Sequence, residues 1–153
     1  MSNVTAIKEA PEYRIFAVKP TELYRVWLEV EPYLARVVEH AHDDITLHST
    51  RNNLITGKLQ LFCIQNVNGE IHACFCTDVQ VMESGLRTLR VPIISGTEMS
   101  GWEDLFIATI RKLGQEMMCD RVRGLGRPGW RKAWAKFGLH PVYTAYELTP
   151  EQE

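Results

Sequence analysis

A chain of 153 residues, 45% hydrophobic and 24% charged, fits one globular domain that buries about two-thirds of its unfolded surface. Its formal net charge of -2 gives no overall field favouring nucleic acid, and no stretch reaches the length of a membrane span. The start, Met1 to Tyr13, lacks the apolar run of a signal peptide, so the four cysteines (Cys63, Cys74, Cys76, Cys119) read as reduced thiols of a cytosolic protein.

In chain order, residues 1–11 form a loose lead-in, and Tyr13 to Val18 is a strand rich in aromatic and β-branched residues. Pro20-Thr21-Glu22 opens a helix capped by Thr21, with Leu23, Val26, Trp27 and Val30 on one face. Pro32 kinks it or starts a second helix with Tyr33, Leu34, Val37 and Val38 inward, and His40 and His42 end the run. Asp43-Asp44 caps a further helix through Ile45, Leu47, Leu54 and Ile55, stopped by Gly57. From Lys58 the pattern changes to strands. LQLFCIQNV and EIHACFCTDVQVM form a hairpin about Asn66 to Gly69; Glu83-Ser84-Gly85 is a second turn. LRTLRVPII follows as a strand in which Pro92 predicts a bulge or an edge position. After the loop Ser95 to Gly101, Trp102 to about Met118 keeps helical spacing through Trp102, Phe106, Ile110, Leu113 and Met117.

The remaining stretch reads as a strand (Arg121 to Leu125), a Gly-Arg-Pro-Gly turn, a short basic helix ended by Gly138, and a closing strand (Val142 to Leu148). It gathers six basic residues (Arg121, Arg123, Arg127, Arg131, Lys132, Lys136), with Trp130 and Trp134 at i, i+4. Residues 149–153 are a polar tail, and no linker or repeat divides residues 1–153. The order β-α-α-β-β-β-α-β-α-β gives an α/β (α+β) class, with a mixed sheet and helices on both faces.

In element order the whole chain resembles the GNAT acyl-CoA N-acyltransferase fold. In motif the likeness lies in the last quarter, where that family runs aromatic-x-Lys-x-Gly-aromatic into a final strand; the matching residues are Trp134, Lys136, Gly138 and Leu139. A narrower likeness, carried by MCDRVRGLGRPGWRKAWAKFGL and by TGKLQLFCI, is to small GNAT-like proteins of tailed bacteriophages. The family resemblance implies that acetyl-CoA would have its pyrophosphate held on backbone N–H groups of an Arg/Gln-x-x-Gly-x-Gly/Ala loop before the third helix. Here that place reads Ile94-Ser95-Gly96-Thr97-Glu98-Met99-Ser100-Gly101-Trp102-Glu103-Asp104, with no basic residue and three carboxylates. If CoA is bound, Ile94, Ser95 and Gly96 are its contacts. The resemblance also implies a tyrosine acid in the last helix, and Trp134 stands there instead, with no proton to give. Both departures point to lost acetyl transfer, with Tyr143 and Tyr146 as the only nearby substitutes.

Other chemistry is weaker. His40-x-His42 with Cys74-x-Cys76 has zinc-ligand types, but the cysteines lie in an apolar strand and read as buried thiols, so no metal is expected. The basic stretch admits three readings: docking of another protein through Arg123, Arg127, Trp130, Arg131 and Lys132; a helix that packs its tryptophans and solvates its charges; or nucleic-acid contact, which the net charge does not support. Partner docking ranks first. The expectation is therefore a phage-encoded GNAT-fold protein without catalytic residues or cofactor. It would bind other proteins, among them virion proteins of head, internal core or tail or its own copies, in the host cytoplasm or the particle. The alternative is an acetyl-CoA-dependent N-acetyltransferase with an altered loop.

Overall fold

A computed structural model describes residues 12–126 and 130–150, the side chain of Arg131 excepted. The lead-in, Arg127-Pro128-Gly129 and residues 151–153 of the sequence reading lie outside them. The elements are β1 (Tyr13–Val18), a 3-10 turn (Pro20–Glu22), α1 (Leu23–Glu39), α2 (Leu47–Ile55), β2 (Gln60–Asn66), β3 (Ile71–Val81), β4 (Arg87–Gly96), α3 (Met99–Glu116), β5 (Arg121–Gly124) and α4 (Trp130–Ala135). The sheet order is β1-β2-β3-β4-β5, antiparallel throughout except for the parallel β4–β5 pair.

Alternation along the strands sorts the core into two layers. Phe62, Ile64, Ala73, Phe75, Val91 and Ile94 face α3 and α4, where they meet Trp102, Phe106, Ile107, Ile110 and Trp134. Leu61, Cys63, Cys74, Cys76 and Ile93 face α1 and α2, against Leu23, Val30, Leu34 and Leu54. Helices therefore cover both sides of a mixed sheet. No described helix is long and apolar enough to cross a membrane.

Two bulges shape the sheet. Val91-Pro92 stands opposite Thr77 alone, because Cys76 pairs with Ile93 while Asp78 pairs with Arg90. Pro92 thus sits at a bulge in an interior strand, where its missing N–H breaks no ladder bond. The second bulge is His72, the extra residue between the pairs Ile64–Ala73 and Gln65–Ile71.

Several local expectations are corrected. Thr21 caps nothing; it lies in the 3-10 turn, and α1 begins at Leu23 after Glu22, which makes no side-chain cap bond. Pro32 neither stops α1 nor divides it. Asp43-Asp44 is not the cap of α2. That role falls to Thr46, whose Oγ1 accepts from the Ser49 N–H (2.9 Å) while Ser49 Oγ accepts from the Thr46 N–H (3.0 Å), a reciprocal capping box. The third helix starts at Met99 rather than Trp102, and Met117 lies just past its end, partly exposed.

The largest difference is the closing strand. Residues 139–150 carry no strand, and Val142, Tyr143, Tyr146 and Leu148 are exposed. Strand propensity needs an edge to pair with. Leu139 is held against the α3–α4 layer only three residues before Val142, and the chain beyond it does not align with β5.

Candidate functional site

The loop from β4 into α3 is where the sequence directs attention, and the fold closes it from three sides. Gly96 ends β4 pressed against β3: a Cβ there would lie 2.2 Å from Ala73 Cβ and 2.7 Å from both Ala73 Cα and the His72 carbonyl oxygen. Ile94 and Ser95 are buried, Ile94 in the α3 layer. The Thr97 N–H donates to the His72 carbonyl (2.8 Å), and the Trp102 indole Nε1–H donates to the Thr97 carbonyl (2.7 Å). The loop is thus anchored at both ends by its own bonds.

Glu98, the residue before α3, is left-handed (φ 55°), an uncommon conformation for a side chain of its kind. It directs its carboxylate at His72, with Oε2 2.6 Å from Nδ1, a contact that is an ion pair only when the ring is protonated and that lies off the line of a hydrogen bond. Asn66 Nδ2 meets the other ring nitrogen at 3.1 Å. Because Asn66 Oδ1 accepts from the Asn68 and Glu70 N–H groups, its amide can only donate to His72 Nε2. This assigns the neutral imidazole its proton at Nδ1, on the Glu98 side.

Tyr13 of β1 completes the closure. Its ring lies edge-on to His72 (centroids 5.7 Å) and sits 2.9 Å from where a Cβ on Gly101 would be, in the first turn of α3. Burial first, and Glu98 second, push its hydroxyl above the usual tyrosine range. One turn on, Glu103 is buried and ion-paired with Lys136 of the α4 end, while Asp104 is exposed. The start of α3 therefore meets an aromatic ring and carboxylates.

On the same face, a cavity of about 190 Å³ opens between α3, β5 and α4, lined in part by Val91, Ile110, Val122, Phe137 and Leu139. Trp134 forms another wall. Its indole lies 3.7 Å from where a Cβ on Gly124 would be, beside Val91, the last residue of β4 paired with β5. It packs on Phe106 (6.3 Å) and carries Trp130 tilted against it on the outside (4.7 Å).

Of the residues read as a docking surface, the described ones are not all on one face. Val122 packs in the α3 layer, so alternation turns Arg121 and Arg123 to the opposite side of the sheet, away from Trp130. Lys132 is exposed on α4; Arg127 and the Arg131 side chain lie outside the described residues. Tyr143 and Tyr146 are both exposed. Cys74 and Cys76 are wholly buried in the α1 layer, where burial drives both thiols upward in pKa. Sequence reading missed Tyr13, His72 and the Glu103–Lys136 contact. Of these, Lys136 had shown a signal as part of the motif before Gly138 and Glu103 as an acid near the helix start, but nothing in the sequence paired the two.

Comparison with known proteins places the fold. No family model matches the chain, and no curated protein does. Solved structures do. A ribosomal-protein-alanine N-acetyltransferase from Brucella melitensis superposes with a TM-score of 0.67 at 14% identity, over 91% of this chain and 99% of that one. An acetyltransferase from Trypanosoma brucei gives 0.63 at 10% identity, covering 91% and 100%. An aminoglycoside acetyltransferase from an uncultured soil metagenomic sample, crystallised with sisomicin, gives 0.64 at 10% identity, covering 91% and 97%. The fold is that of the GNAT acetyltransferases.

Proposed function

We propose that this chain is a GNAT-fold protein of a tailed bacteriophage that has given up acyl transfer and acts by binding other proteins in the head, internal core or tail. The observation that carries the non-catalytic part is the occupied start of α3. A CoA-type diphosphate needs free N–H groups and positive charge there. In this chain the Tyr13 ring lies on Gly101, Glu98 stands at the helix start, and Lys136 is engaged by buried Glu103. Each carboxylate near the helix start opposes a diphosphate by up to about 1 kcal/mol, depending on its exposure. Trp134, in place of an ionisable acid, supports the same reading. The phage and virion part rests on the likeness of MCDRVRGLGRPGWRKAWAKFGL to phage GNAT-like proteins.

The test is thermal unfolding with acetyl-CoA. The expected result is no rise in the melting midpoint at micromolar cofactor, because a dissociation constant above about 1 mM adds almost nothing there. A clear rise would refute the non-catalytic reading. Mass spectrometry of purified particles from the phage that encodes the chain tests the second part, and its absence from the particle would overturn that.

Acetyl transfer remains the second reading, favoured by Lys136, whose half-exposed side chain could turn from Glu103 to a phosphate. In that case Lys136→Ala abolishes the cofactor-induced shift.

A further inference from the structure

The side of the sheet turned away from α3 carries a row of arginines across β4 and β5. Pairing sets Arg90 beside Arg123 and Thr88 beside Arg121 in the parallel ladder, with Asp78 of β3 on the other flank of Arg90. Val122 packs in the α3 layer, so Arg121 and Arg123 share the opposite face, roughly 6–7 Å apart along the strand and each about 5 Å from its β4 neighbour. Three guanidinium groups therefore share a patch with one paired carboxylate. That carboxylate is already used: Arg90 Nε donates to Asp78 Oδ1 (2.8 Å) and Nη2 to Oδ2 (2.6 Å). Asp120, next to Arg121 in the chain, accepts from the Arg87 N–H (2.8 Å). Among the described residues no carboxylate comes within 4.0 Å of Arg121 or Arg123.

Two features separate this row from ordinary solvated surface charge. Arg123 stands directly beside Arg90, a like-charge pair that costs the sheet stability unless an anion screens it. Arg121 is held in place: its Nε–H donates to Oγ1 of Thr88 (2.8 Å), a wholly buried residue, which leaves its terminal nitrogens as the free donors. Both arginines are partly exposed, so a ligand reaches them. With Arg90 neutralised by Asp78, the unbalanced charge is that of two guanidinium groups, which one doubly charged tetrahedral anion matches. Planar guanidinium forks take phosphoryl oxygens in pairs, and a single carboxylate brings only half the charge. We propose that Arg121 and Arg123, the first positioned by Thr88, form a binding site for a phosphoryl dianion, carried by a small phosphate monoester or by a phosphorylated side chain. The site lies on the opposite face of the sheet from α3, and its test is independent of whether the chain binds acetyl-CoA.

The experiment titrates the isotope-labelled full chain with inorganic phosphate at about pH 8, where phosphate is a dianion, and follows amide and guanidinium Nε–H signals by nuclear magnetic resonance at constant ionic strength. Saturable shifts at Arg121 and Arg123 are expected. Arg123→Gln is expected to weaken binding about tenfold, the worth of one charge-assisted contact. Thr88→Val removes the hydroxyl that holds Arg121 and is expected to weaken binding several-fold; if that variant does not fold, Arg123→Gln alone decides. Lys112→Gln, which removes an exposed charge on α3, is expected to change nothing. A phosphoserine peptide and its unphosphorylated form distinguish the sources. A phosphorylated peptide that binds about tenfold or more tightly than inorganic phosphate assigns the site to a modified protein, and one that binds no more tightly assigns it to a small phosphate ester. Absence of saturation at high millimolar phosphate overturns the proposal, as does a loss of affinity in Lys112→Gln equal to that in Arg123→Gln. A single-stranded oligonucleotide without terminal phosphates that occupies the row more tightly than either probe also overturns it, because each of its phosphodiesters carries a single charge.

Discussion

Replacing Trp134 with alanine tests whether the short α4 is part of the core or lies on it. The indole is 8% exposed and is the outermost buried member of an aromatic series that runs Phe62, Phe75, Phe106, Trp134. Burying a tryptophan removes roughly 150–250 Å² from water, which at about 25 cal/mol per Å² is about 4–6 kcal/mol before any relaxation. Trp→Ala substitutions in cores cost about 3–5 kcal/mol, and the cavity already beside Trp134 leaves neighbours nothing to collapse onto. The expected loss is therefore about 3–5 kcal/mol, a large part of a typical domain's stability. For a domain of this size that lowers the melting midpoint by about 10 °C or more. Urea unfolding of the wild type, Trp134→Ala and Trp130→Ala supplies the comparison. Trp130 is half-buried and lies tilted against the outer side of Trp134, so its loss should cost clearly less. If Trp134→Ala costs under about 1 kcal/mol, or no more than Trp130→Ala, α4 does not close the core and the assignment of its inner face is wrong.

Two further outcomes follow from the interior. Cys63, Cys74 and Cys76 are buried, and burial is the first cause raising each thiol from its ordinary value of 9.0, Cys63 to about 12. The folded state thus holds these protons more tightly than the unfolded chain, so the stability is complete below pH 9 and falls as pH rises towards 12; at pH 10 the loss is on the order of 1 kcal/mol for Cys63. Urea midpoints at pH 7.5 and pH 10 measure it, and equal midpoints would show that these thiols ionise freely in the fold. Gly96→Ala should destabilise by about 3 kcal/mol or more, since its Cβ meets backbone atoms of β3 that cannot turn aside. Ala73→Gly in the same chain should recover only part, because Ala73 Cα and the His72 carbonyl remain; full recovery in denaturant unfolding would contradict the β3–β4 geometry.

What the sequence carried faithfully was local. The Asn66–Gly69 loop is written in Asn66, which accepts two backbone N–H groups, and in Gly69 with φ at 85°. Pro92 cannot donate to a ladder, so its bulge follows from one residue. Gly138, with φ at 88°, ends the α4 turn as a left-handed position must. The misplaced cap of α2 is local too. Two aspartates resemble a cap in composition, but the reciprocal bonds of Thr46 and Ser49 decide it, and serine three residues on is a weaker signal than glutamate or glutamine.

The candidate site was legible in its charges and not in its closure. Glu98, Glu103 and Asp104 could be read straight from the sequence as acids where a diphosphate would need donors. That Tyr13, from the other end of the fold, would cover Gly101 depends on how β1 and α3 are brought together, and no spacing within either segment encodes it. The bulge at His72 is of the same kind, set by pairing between β2 and β3. The closing strand failed for the converse reason. Val142 to Leu148 has the alternation of a strand, but alternation states only which side chains share a face; whether an edge receives them depends on where the chain runs after Leu139, which is packed on the α3 side.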